Sequence, residues 1–159
     1  MSRIFRATAS TIVLALGLVT AAPGAGAAQH APPDYLVTVR SSYDFQETVN
    51  RLKQAMEAEN LMVIHEINPQ QMLRMVGVRT GGMRQILFFH PRYMKRIFET
   101  NRNAGIEPPL KVLVMEAPNG NVMVRYEDPV RQFADYQGLD SLALELRELV
   151  ERITASVSR

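Results

Sequence analysis

Apolar positions along this chain fall into short runs separated by proline, glycine and asparagine, and the period of each run predicts its element. Residues 35–40 are rich in β-branched and aromatic side chains and read as a first strand. Asp44 with Glu47 three positions on has the form of a capping box, in which Asp44 accepts from backbone N–H groups and Glu47 reaches back. Phe45, Val49, Leu52 and Met56 then recur at helical spacing while Arg51, Lys53, Glu57 and Glu59 take the other faces, which is the pattern of an amphipathic helix on a sheet.

Residues 61–67 are too continuously apolar for an exposed strand and are expected near the middle of the sheet. Asn68-Pro69 starts a short helix to Val76, with Met72, Leu73 and Val76 expected inward, and 77–82 returns the chain. The next strand covers 85–90. Pro91 opens a helix whose stripe is read as Met94, Ile97 and Phe98, and 106–109 is read as extended. Residues 110–116 and 121–126 flank Asn119-Gly120, a pair suited to positive φ, and form a hairpin. A short segment follows Asp128-Pro129 around Phe133. Residues 141 to about 157 close the chain as a helix burying Leu142, Leu146, Leu149, Val150 and Ile153. The order β-α-β-α-β-α-β-β-α predicts an α+β fold with a single mixed β-sheet of about five strands and helices packed on it.

The beginning of the chain has a different pattern. Arg3 and Arg6 precede an apolar stretch at 11–19, and Ala25, Gly26, Ala27 and Ala28 offer a small-residue cleavage site, so 1–28 is expected to be a signal peptide cut near Ala27 or Ala28. The apolar stretch is short for a membrane span. Residues 29–34, with Pro32-Pro33, read as a linker, and 35–157 as one domain of a periplasmic or secreted protein. Removing the leader takes away two arginines and no acid, which brings the net charge from +2 to zero and argues against nucleic acid as a partner. There is no cysteine, so thiol nucleophiles, redox pairs and thiolate metal sites are excluded.

The stretches 42–52, 63–68, 89–91, 109–116 and Asp128-Pro129 together resemble the domain-of-unknown-function 302 family, also called TT1751-like. The resemblance implies a small α+β domain and assigns no activity. It also implies cysteines where this chain has Phe89 and Leu110, and an asparagine where it has His90. Any role of those cysteines does not transfer.

His90, at a strand end before a helix N-terminus, is the first candidate ligand for a cofactor, with neutral imidazole binding haem, copper or zinc. A hydrogen-bonded strand-end histidine explains the same residue. Strand parity places Phe88 on the face of His90. His65 shares parity with Leu61, Val63 and Ile67 and is expected half-buried, a second cofactor contact if it meets His90; Glu66 points the other way, toward a basic residue. Met72 and Met75, followed by Met83, offer thioethers to copper, and as well to the flat face of haem. There is no Gly-x-Ser-x-Gly elbow, His-Glu-x-x-His helix or Walker loop, so no catalytic residue is assigned.

The expectation is an exported binding or accessory protein holding a small ligand, cofactor or protein partner. Its alternatives are a haem- or metal-binding protein using His90 and a soluble subunit of a membrane enzyme complex, and a homodimer is compatible with either. N-terminal sequencing of the protein recovered from an exporting host should begin near Ala28 or Gln29. A dominant membrane-bound species retaining Met1 would reject the leader.

Overall fold

The computed structural model describes residues 32–158, so the proposed signal peptide lies outside the described residues. The first strand is Leu36–Arg40 (β1). Asp44 caps the helix Phe45–Ala58 (α1), its carboxylate accepting from the Glu47 N–H at 2.8 Å. Glu47 does not reach back to complete a capping box, because Arg51 one turn on donates to it at 2.7 Å. The strand Met62–Ile67 (β2) leads through the helix Pro69–Met75 (α2) to the strand Met83–Phe89 (β3). The helix Pro91–Thr100 (α3) and a 3₁₀ turn, Arg102–Ile106, precede the hairpin of Leu110–Glu116 (β4) and Val122–Glu127 (β5). The chain closes with Pro129–Gln132 (α4) and Asp140–Ala155 (α5).

One device starts three of these helices. Asn68, His90 and Asp128 each precede a proline, and each side chain accepts at 3.0 Å from a backbone N–H of the first turn, those of Gln71, Arg92 and Val130. Proline has no N–H to leave unsatisfied and its φ is already helical, while the capping side chain takes one of the free donors.

The strand order is β1-β5-β4-β3-β2 and every neighbouring pair is antiparallel, so the sheet is not mixed. The connections through α2 and α3 begin and end at the same end of the sheet, as a hairpin does. Only the connection through α1 crosses the sheet, and it delivers β2 to the edge opposite β1, so β1 and β2, which run the same way, do not adjoin. The apolar stretch expected in the middle of the sheet therefore forms an edge. Met62 and Ile64 are 54 % and 52 % exposed there.

The register assigns faces. Phe88 stands opposite Leu110, Ile86 opposite Val112, Val112 opposite Tyr126, and Val114 opposite Val124. All these side chains are buried, and with Val49, Leu52 and Met56 of α1 and Leu142, Leu146, Leu149, Val150 and Ile153 of α5 they make one core. The opposite face carries Leu36, Met83, Leu87, Leu113, Met115 and Met123, all half-buried and none in that core.

Two helical stripes differ from expectation. In α2 no residue is buried, and Val76 just beyond it is 74 % exposed, because this two-turn helix packs chiefly against a single strand, β3. In α3 the inward pair is Tyr93 and Ile97, whereas Met94 and Phe98 face outward. The His90-Pro91 cap sets the phase of that helix, and Phe98 is shielded by the Arg102 guanidinium 4.6 Å above its ring. The segment expected to be extended from Ile106 instead begins inside the 3₁₀ turn.

Asp44→Ala should lower stability by about 0.5–2 kcal/mol, the usual range for a lost N-cap. Urea denaturation checks this, and an unchanged midpoint and slope would mean that the cap is not needed to start α1.

Candidate apolar groove beside His90

Where β3 ends, the chain turns directly into α3, and the turn opens a groove of about 410 Å³. Met62 and Ile64 of β2, Phe89 of β3, Pro91 and Met94 of α3, and Pro108 and Pro109 before β4 line it, with His90 as its one polar side chain. Each part has a local cause. Met62 and Ile64 are available because β2 has no outer neighbour among the described residues, and Met94 because α3 turns Tyr93 and Ile97 to the core. The rings of Phe89 and His90 lie 6.0 and 6.5 Å from that of Tyr93, which fills the space beneath them.

The hydrogen bond at His90 determines what its ring can do. Nδ1 accepts from the Arg92 N–H, so in the neutral imidazole the proton resides on Nε2. A histidine that ligates a metal through Nε2 has the reverse arrangement, with Nδ1–H donated to an acceptor and a lone pair free on Nε2. His90 as placed is an N–H donor at the side of an apolar groove, and that is poorly matched to haem, copper or zinc ligation.

The other sequence candidates are spread over the molecule. Phe88 is completely buried in the core and does not reach the groove; its neighbour Phe89 does. Strand alternation does not extend past Phe89, because His90 is already the helix cap. His65 is exposed, not half-buried, and stands opposite Leu87 on the open face. A bulge between Val63 and His65 breaks the alternation that had placed both on one face. Glu66 takes the opposite face and pairs with Lys53 of α1. Met72 and Met75 are 61 % and 81 % exposed on α2, which precedes β3, whereas His90 follows it. Those seven residues of β3 span about 20 Å at 3.3 Å per residue, so His90, Met72 and Met75 do not form one metal site. Among the described residues there is no group of three His, Cys, Asp or Glu able to hold a metal.

A second depression, of about 490 Å³, lies between α1 and the start of β2, but its Glu47 and Lys53 are already paired with Arg51 and Glu66. Ser41 is no nucleophile with a base: its buried hydroxyl is hydrogen-bonded to that of Thr48 at 2.6 Å. Met62, Ile64, Met94, Pro108 and Pro109 went unnoticed as a site in the sequence, since each has an ordinary reading as core or connector. Their only signal was a surplus of apolar residues around the His90 turn.

The family model for the domain of unknown function DUF302 matches residues 37–157. The chain belongs to this family. A crystal structure of an uncharacterized conserved DUF302 protein from Bacillus stearothermophilus is similar, with a TM-score of 0.72 at 19 % identity over 78 % of this chain and 98 % of that one. At that identity the likeness speaks for the fold. No curated protein matches the chain. Where family resemblance implied cysteines, this DUF302 domain buries Phe89 and Leu110 on adjacent strands, 6 % and 4 % exposed; Phe89 lines the groove, whereas Leu110 lies in the core opposite Phe88.

The most developed charge pair of the domain lies away from the groove. Arg147 of α5 donates to both carboxylate oxygens of Asp128, at 2.8 and 2.6 Å, while Asp128 also caps α4. Partial burial pushes the Asp128 carboxyl up, but the Arg147 hydrogen bonds, the Val130 N–H and the charges of Arg147 and Arg131 together hold it below its ordinary value. A depressed folded-state pKa contributes stability above the unfolded value and loses it as pH falls through the folded one. The stability of the wild type should therefore decline below about pH 4. In Asp128→Asn that part of the decline should be missing, as measured by urea midpoints at successive pH values; parallel profiles would refute the coupling.

Proposed function

We propose that this DUF302 protein is an exported binding or accessory protein, and that its groove beside His90 holds the apolar part of a small ligand. The observation that carries this reading is the lining of the groove: seven apolar residues and one oriented N–H donor. Such a surface excludes water from an apolar body, while a single donor fixes one acceptor atom of it, a carbonyl or ether oxygen. Export rests on the charge, apolar run and small residues of the leader. Haem or copper bound through His90 is the less favoured alternative, since the Nδ1 bond holds the ring in the wrong tautomer for ligation.

A second reading, a soluble subunit docking on a partner, is favoured by one observation. The groove is continuous with β2, whose outer backbone groups have no strand partner among the described residues and whose Met62, Val63 and Ile64 are exposed. An extended partner segment adding to that edge would bury the same side chains.

The apolar fluorophore N-phenyl-1-naphthylamine tests the groove. Its emission should rise on binding, and Met94→Asp should raise its Kd about tenfold or more, because losing one buried side chain of this size is worth about 1.5–3 kcal/mol. Met94 is outside the core, so the thermal midpoint should change little. Equal binding by wild type and Met94→Asp would reject the groove as the site.

A further inference from the structure

The open face of the sheet holds an arrangement that neither the groove nor the core explains. Met83 of β3 stands directly opposite Met115 of β4, and Met115 directly opposite Met123 of β5. Residues directly opposite one another project to the same face, so three thioethers form one row across three adjacent strands. All three are half-buried and absent from the core. The other methionines within the described residues are otherwise placed: Met56 in the core, Met62 and Met94 at the groove, Met72 and Met75 on α2.

We propose that Met83, Met115 and Met123 form a binding site for a soft monovalent metal ion, copper(I), with three thioether ligands. The spacing suits this. Neighbouring strands lie about 4.8 Å apart, so the outer two backbones are about 9.6 Å apart. Methionine is unbranched with three rotatable bonds, and the outer two can lean over Met115 until the sulfurs meet above the central strand. The chemistry selects the ion. Thioethers are soft neutral donors that suit copper(I), and a chain without cysteine has no thiolate to compete for it. Divalent zinc or copper(II) would want imidazole or carboxylate ligands, and no group of three such residues occurs among the described residues. The nearest cation in the row, Arg40 opposite Met123, is bound at 2.8 Å to the Asn121 side chain at the hairpin. Glu116, next to Met115, is engaged by the Gly82 N–H at 2.9 Å. This site is independent of the groove and does not rest on the ligand reading above.

The experiment is an anaerobic titration of the purified chain with copper(I) against a chromogenic chelator, and with silver(I) as a redox-stable probe. Methionine methyl groups labelled with ¹³C are followed by NMR. One ion should bind per chain, shifting three methyl signals, which Met83→Leu, Met115→Leu and Met123→Leu assign one by one. Met115→Leu, close in volume and outside the core, should keep the thermal midpoint and lose the binding; Met123→Leu serves in its place if that protein does not fold. Shifts at Met72, Met75, Met62 or Met94 in place of these three, undiminished binding by Met115→Leu and Met123→Leu, or no binding by the wild type would each overturn the site. X-ray absorption of the loaded protein should show sulfur alone around the ion, and nitrogen in that shell would overturn it as well.

Discussion

Everything else in this domain depends on the burial of one face of a five-stranded antiparallel sheet beneath α1 and α5. Ile86, Phe88, Val112, Val114 and Val124 have essentially no exposed surface, and each meets helix residues that are equally enclosed, such as Leu52, Leu146 and Ile153. Removing that much apolar surface from water is the dominant favourable contribution to the fold. It is also one-sided. With α1 and α5 committed to one face, the methionines and leucines of the other are half-buried and stay outside the core.

The same commitment shapes the groove. Because α1 carries the chain across to the far edge, β2 has a single strand neighbour among the described residues, and its Met62 and Ile64 are left exposed. Because α3 must turn Tyr93 and Ile97 into the core, Met94 is left outside near Met62 and Ile64. His90 joins the two requirements. It must end β3 and start α3, and the acceptor that starts the helix is its own Nδ1. The capping bond needed for folding thus determines which nitrogen of the ring is left to meet a ligand, and that nitrogen is a donor.

Most helix starts and the hairpin were legible in the sequence because each depends on residues a few positions apart. Asp44, Asn68-Pro69, His90-Pro91 and Asp128-Pro129 act on backbone groups within one turn, and Gly120, at φ 78°, serves the turn between β4 and β5. The buried stripe of α5 was equally plain, since a long helix repeats its period enough times to fix its phase. The short helices were not. Two or three turns permit more than one apolar stripe, and in α3 the choice between Tyr93 with Ile97 and Met94 with Phe98 depended on what packed against them. The bulge in β2, which moved His65 to the open face, left no mark in the pattern of residues.

Local chemistry, then, determined the elements, their order, the α+β class and the family, because caps, turns and periodicity act over distances shorter than one element. Apart from the β4–β5 hairpin, strand neighbours were decided by tertiary structure alone. An apolar strand reads the same at the centre of a sheet and at its edge, and only the crossing connection through α1 made β2 an edge with a groove beside it. The alignment of Met83, Met115 and Met123 likewise has no counterpart along the chain, where they are separated by loops and a helix. It exists only because the hydrogen bonds of β3, β4 and β5 set these residues in one register.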